Sequence, residues 1–195
     1  MVNLGVGIPG LCADYTEKGI MFQTENGLIG VGDTATDLMV TDRACDASSH
    51  PFVPMPRASV FDTATSFAII RSGRMAATVL GGLQVSAKGD LANWATPGRR
   101  FGMGGTMDLC NGARKVIVAM ELTTKDGGRK IVNECSFPLT TVQCVDHIVT
   151  EQCVIDVTDK GLVLREVRQG KTPEDIQAQV EPRLIIADDL KVMEE

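Results

Sequence analysis

Glu25-Asn26-Gly27 is the point in this 195-residue chain where residue types and spacing most plainly permit chemistry. The apolar run Ile20-Met21-Phe22 reads as a buried strand, and it delivers a carboxylate straight into an Asn-Gly turn. Burying an unpaired carboxylate is costly, so a charge at the end of a core strand is unusual. Gly27 lets the backbone approach a ligand closely or take a positive φ, which presents Glu25 rather than merely tolerating it. The tripeptide alone leaves a plainer reading open, an exposed glutamate at the start of a hairpin. The run Gly102-Met103-Gly104-Gly105 is a second candidate, because glycines before a helical pattern uncover backbone N–H groups that can stabilise an oxyanion. A flexible turn is the bland alternative there.

A third pattern misleads. Gly5-Val6-Gly7-Ile8-Pro9-Gly10 satisfies G-x-G-x-x-G, and Glu25 follows Gly5 by 20 residues, the spacing of a dinucleotide fingerprint with its ribose-binding acid. Only residues 11–19 remain for the connecting helix, about two turns, and Gly19 interrupts them. No more than four residues precede the first glycine, and an Asn-Gly after the acid suits a turn better than a ribose contact. His50 and His147 lie far apart, so no metal-ligand cluster is read. Cys12, Cys45, Cys110, Cys135, Cys144 and Cys153 are widely spaced without a Cys-x-x-Cys pair, and thiols outside disulfides, mostly buried, are expected.

The elements that must position these residues alternate between apolar runs and helical patterns, which argues for an α/β domain. Strands are expected at residues 20–23, 78–84, 116–120 and 184–187. Residues 61–71 read as a helix with Phe61, Ala64, Phe67 and Ala68 on its apolar face, residues 108–114 as a short helix, and residues 139–150 as a third, with Val142, Val145, Ile148 and Val149 inside. Thr158-Asp159-Lys160-Gly161 between two apolar runs signals a hairpin. Thr172-Pro173-Glu174-Asp175 starts a helix with a Thr cap, a proline at the first position and an acid three residues after the cap. Residues 33–59, with three prolines, read as a long surface loop. One domain over residues 1–195 is expected from the length.

Net charge is −6 and no Lys/Arg run exceeds a pair, so a nucleic-acid footprint is missing. No apolar stretch reaches the length of a membrane span. The start of the chain lacks the regions of a signal peptide, and a cytoplasmic location is the expectation.

The run Gln23-Thr24-Glu25-Asn26-Gly27 resembles the Ser-Glu-Asn-Gly signature of the class I coenzyme A transferases, β-subunit type. Four further stretches resemble that family in the same order: Asn3-Leu4-Gly5-Val6-Gly7-Ile8-Pro9, Gly89-Asp90-Leu91-Ala92-Asn93-Trp94, Gly102-Met103-Gly104-Gly105-Thr106-Met107-Asp108-Leu109, and Lys115-Val116-Ile117-Val118-Ala119-Met120-Glu121 with Pro138-Leu139-Thr140 behind it. The likeness covers about residues 3–190. It implies an open, mostly parallel α/β sheet with helices on both faces, and a chain that acts with a homologous α subunit as a heterodimer or heterotetramer. It also implies Glu25 as nucleophile, Gly105 with Gly104 beside it as oxyanion donors, and Asn3 and Gly27 near the nucleophile. No tightly bound cofactor or metal is implied; a coenzyme A thioester is the substrate.

The chemistry suits a carboxylate. It can attack a thioester to give a mixed anhydride and then accept the released CoA as a glutamyl thioester, which keeps the bond energy for an incoming acid. Arg71, Arg74, Arg99 and Arg100 are candidates for the CoA phosphates, and Trp94 for the pantetheine path. The chain departs from the family pattern at Thr24, where serine is usual, at Asp33, where proline is common, and at residues 45–50, where the family reads near Asn-Ala-Gly-Lys. It also begins almost at the Asn-Leu-Gly strand. The block at residues 102–109, with Lys130-Ile131-Val132 and Glu134-Cys135, is more similar to acetoacetate-using members than to 3-oxoadipate ones. Rival readings are a CoA-ester hydrolase on the same fold, a non-catalytic partner subunit, and a nucleotide-binding oxidoreductase.

Overall fold

The computed structural model describes residues 1–15, 19–34, 45–47 and 51–194. Two compact units are formed, Met1–Gly81 with Gly105–Lys115, and Gly82–Gly104 with Val116–Glu195.

The first unit contains β1 (Val2–Leu4), β2 (Phe22–Thr24), β3 (Leu28–Thr34), β4 (Phe52–Val60) and β5 (Ala77–Leu80), in the order β5-β1-β2-β3-β4. β1 runs parallel to β5 and β2, while β2, β3 and β4 continue antiparallel. Strand alternation sends Val2 and Leu4 to a face where they join Phe22, Leu28, Val31 and Phe52, with Ala13 from the 3₁₀ segment Ile8–Tyr15 packed against the cluster. The opposite face carries Thr78, Asn3 and Gln23, in register across β5, β1 and β2 and fully buried. Helix α1 (Thr63–Arg71) lies over that polar row, since Gln23 bonds Ser66. Helical segments thus cover both faces of the sheet. Asp62 starts α1 by accepting the Thr65 N–H at 2.9 Å. Helix α2 (Thr106–Gly112) lies close on α1 because Gly112 faces the Ile70 carbonyl with no room for a Cβ.

In the second unit β6 (Gln84–Ser86), β7 (Leu91–Ala92) and, later, β11 (Ile131–Val132) make a small sheet, and β8 (Ala95–Thr96) and β9 (Arg99–Arg100) a short ribbon. β10 (Val116–Ala119), β12 (His147–Val149), β13 (Cys153–Thr158), β14 (Gly161–Val167) and β15 (Ile185–Val192) lie side by side in that order. The pairs β10-β12 and β14-β15 are parallel, and β13 is antiparallel to both neighbours. The hairpin predicted around Asp159-Lys160 joins β13 to β14. The predicted cap starts α3 (Pro173–Gln177): Thr172 Oγ1 accepts the Asp175 N–H at 3.2 Å, and Asp175 Oδ2 accepts the Thr172 N–H at 2.8 Å. The molecule is an α/β protein, as the sequence predicts.

Several elements differ from their expectation. The strand expected at 78–84 is two strands, β5 and β6, interrupted at Gly81-Gly82. The helix expected at 139–150 does not form; the backbone groups of residues 140–145 instead bond Gly89 and Leu91, Gln143 takes φ 48°, and only β12 is regular. Val142, expected inside, is exposed. On α1 the buried residues are Ser66 and Ile70, whereas Ala64 and Ala68 face outward. Part of the expected 33–59 loop is β4, a strand at the end of the sheet order, where Pro54 and Pro56 remove no ladder bond that the sheet requires. Residues 48–50 of the 45–50 departure, His50 among them, lie outside the described residues. All six cysteines stand as thiols, of which Cys110 and Cys153 are buried and Cys45 is exposed, so the set is less buried than expected. Among the described residues no helix is long and apolar enough to cross a membrane.

Candidate active site

The turn that carries Glu25 is locked from several directions. Gly27 N–H closes it onto the Thr24 carbonyl at 3.1 Å, and the Phe61 N–H returns to the Gly27 carbonyl at 2.9 Å. Gly27 holds φ 117°, and a Cβ there would overlap the Phe61 carbonyl oxygen, so only glycine fits. Thr24 Oγ1 donates to Asn26 Oδ1, and Asn26 Nδ2 donates to the Cys45 carbonyl at 3.0 Å. The Thr24 that replaces the usual serine keeps its hydroxyl in use.

Gly105, the residue that opens α2, brings its backbone N–H beside the Glu25 carboxylate, where it favours the charged form. A Cβ on Gly105 would stand 2.5 Å from Glu25 Oε2 and 2.6 Å from the Phe67 ring. The glycine is therefore a consequence of the carboxylate and the ring both closing on that backbone. Burial raises the Glu25 pKa above the ordinary carboxylate range, the Gly105 N–H opposes this, and the charge of Asp108 adds to the rise. Arg71 holds Asp108 at 2.6 Å and lies over the Phe67 ring. A carboxylate presented by a rigid turn, half-withdrawn from water and touched by one N–H, is equipped to act as a nucleophile.

The chain matches the coenzyme A transferase family model over residues 1–179. It is 43% identical over 196 residues to the beta subunit of an acetate CoA-transferase from Escherichia coli K12, covering 97% of this chain and 88% of the relative. It is 40% identical over 182 residues to a subunit of a succinyl-CoA:3-ketoacid coenzyme A transferase from Helicobacter pylori, covering 92% and 88%. The chain belongs to the coenzyme A transferase family. The fold agrees: an acyl-CoA transferase from Escherichia coli O157:H7 in a thioester complex with CoA superposes with TM-score 0.76 at 20% identity, over 99% of this chain and 40% of that one.

Within this transferase chain the structure brings Glu25, Gly27 and Gly105 together. Gly104, with φ 55°, precedes Gly105 directly. Asn3 is buried below them, its Nδ2 bonded to Gln23 Oε1 at 2.7 Å and its Oδ1 accepting from Thr78 at 3.2 Å. Of the arginines, Arg71 is committed to Asp108, and Arg99 stacks 4.6 Å above the Phe101 ring. Trp94 donates its ring N–H to the Leu139 carbonyl at 3.2 Å and lines, with Arg99, Arg100, Ser136 and Pro138, an open groove of about 570 Å³ in the second unit. Sequence reasoning missed Gln23, Ser66, Thr78 and Phe67 as parts of this site. A signal existed on the strands: those buried on both faces read as apolar runs, and Gln23 and Thr78, like Asn3, are polar residues inside such strands.

Proposed function

We propose that this chain is the β subunit of a transferase that moves CoA between a short-chain or 3-oxo acyl-CoA and a carboxylic acid, through a thioester on Glu25. The half-buried Glu25 carboxylate, packed against the Gly105 backbone, is the observation that carries the reading. A Glu25 oxygen attacks the acyl thioester carbonyl, the C–S bond breaks, and CoA leaves as thiolate with an acyl-glutamyl anhydride behind it. The thiolate attacks the glutamyl carbonyl and expels the first carboxylate, which gives glutamyl-CoA. The incoming carboxylate then reverses both steps and restores Glu25. The N–H beside the carboxylate also suits its oxygen when that turns into a tetrahedral oxyanion, where one donor is worth about 3–4 kcal/mol.

Glu25 must be ionised to attack. Its pKa is raised, so activity rises with pH through a range above that of an ordinary carboxylate. The relatives are named as single subunits of a transferase, one of them the beta subunit, which supports an α-subunit partner in a heterodimer or heterotetramer. Their names, for acetate and for succinyl-CoA with a 3-ketoacid, support short acids and favour acetoacetate as an acceptor or donor. CoA enters as substrate, and no resident cofactor is required.

Intact-protein mass spectrometry of the chain assembled with its α subunit, after brief incubation with acetoacetyl-CoA, tests the mechanism. A CoA-sized adduct is expected on the native chain and absent from Glu25→Gln. No adduct from an assembled complex across several acyl-CoAs would leave Glu25 a structural residue.

A further inference from the structure

The polar row beneath Glu25 is a single directed chain of hydrogen bonds. Thr78 Oγ1 donates to Asn3 Oδ1 at 3.2 Å, and Asn3 Nδ2 donates to Gln23 Oε1 at 2.7 Å. Gln23 Nε2 donates to Ser66 Oγ at 2.7 Å, and Ser66 Oγ donates to the Thr24 carbonyl at 3.5 Å. That carbonyl is the acceptor that closes the Glu25 turn, at 3.1 Å from the Gly27 nitrogen. Asn3, Gln23, Ser66 and Thr78 are each no more than 1% exposed, so water cannot replace a lost partner. The direction of every bond follows from the one before it, and the chain ends on the residue before the nucleophile.

We propose that Gln23 and Ser66 are positioning residues that fix the Glu25 turn through the Thr24 carbonyl. This rests on the reading of Glu25 as the nucleophile. An apolar row would fill the same volume at lower desolvation cost, but it would tie strand β2 to α1 without fixing the rotation of the Thr24 peptide. Covalent catalysis is sensitive to that rotation: a misplacement of about 1 Å costs on the order of 100-fold in rate.

The test uses the chain assembled with its α subunit and compares native protein with Ser66→Ala, Ser66→Cys and Gln23→Met. Transfer kinetics, the rate of adduct formation at saturating acyl-CoA, and the melting temperature are measured together. Ser66→Ala and Gln23→Met are expected to lower kcat and adduct formation by about 10- to 100-fold, with KM within about twofold. Ser66→Cys, which keeps the shape and a weak donor, is expected to restore part of the rate, and combining Ser66→Ala with Gln23→Met to add little to the larger single effect. An unchanged kcat, a raised KM with kcat preserved, or a loss that only follows the loss of folded complex in all variants would each overturn the proposal. Absence of adduct on the native complex would instead overturn the reading of Glu25.

Discussion

Two polar regions of this chain carry family-like motifs and are built to opposite ends. Around Glu25, buried side chains bond one another in a row, and the Gly105 N–H works against the burial of the carboxylate above them. Around Gly89–Trp94, side-chain and backbone bonds together tie an irregular segment down. Asp90 accepts the Gln143 N–H at 2.9 Å and the Ser86 hydroxyl at 2.8 Å. Leu91 exchanges bonds with Thr140 and Thr141, and Thr140 Oγ1 donates to Asn93 at 2.6 Å. That region zips an irregular segment to β6 and β7, and the buried Thr141 hydroxyl is left without a hydrogen-bond partner. A motif's specificity to a family therefore marks a demanding geometry, and the demand is as often structural as chemical.

The largest effect that would sharpen this contrast is expected from Gly105→Ala. The new Cβ meets Glu25 Oε2 and the Phe67 ring, so transfer activity should fall by about 100-fold or more while the melting temperature moves only a few degrees. A fall in stability without a specific loss of kcat would make the glycine a packing residue.

Asp90→Ala should behave in the opposite way. It strips acceptors from the Gln143 N–H and the Ser86 hydroxyl, and a cost of about 1–3 kcal/mol is expected by denaturant titration, with kcat per folded complex unchanged. A loss of kcat at full stability would erase the distinction between the regions.

The smallest effect concerns a purely structural charge cluster. Asp156 sits between His147 Nδ1 at 2.7 Å and Arg165 Nε at 2.6 Å on neighbouring strands. Those partners outweigh its burial and hold its pKa below the usual range. A depressed carboxylate gives stability that is complete above its unfolded pKa, about 3.9, and is lost as pH falls through the folded value. Arg165 and Asp156 both keep partial access to solvent, which screens the pair, so Asp156→Asn should cost about 1 kcal/mol at neutral pH. The mutant should lose less stability than the native chain below about pH 4. Transfer activity should not change.

Much of the fold is legible in the sequence, and for local reasons. A Thr-Pro-Glu-Asp run caps a helix wherever it occurs, a two-residue Asp-Lys turn between β-rich runs closes a hairpin, and Asn-Gly after an acid makes a turn. Residues 139–150 mislead because valines at helical spacing say nothing of the Gly89 and Leu91 backbone groups that claim the same N–H groups. On α1 the alanines complete an apolar face by pattern, while the real contact is a serine meeting Gln23, a partner 43 residues away.

From the sequence alone come the family, the α/β class, the Glu25 turn and the need for glycine near it, because short-range backbone chemistry and ordered motifs carry that information. It takes the folded chain to show that Gly105 supplies the N–H that reaches Glu25, that Asn3 works one layer beneath it, and that Gln23, Ser66 and Thr78 belong to the same chain of bonds. Those facts depend on strand register and on helix α1 lying over one face of the sheet, and register is set by distant pairings that no window of sequence contains.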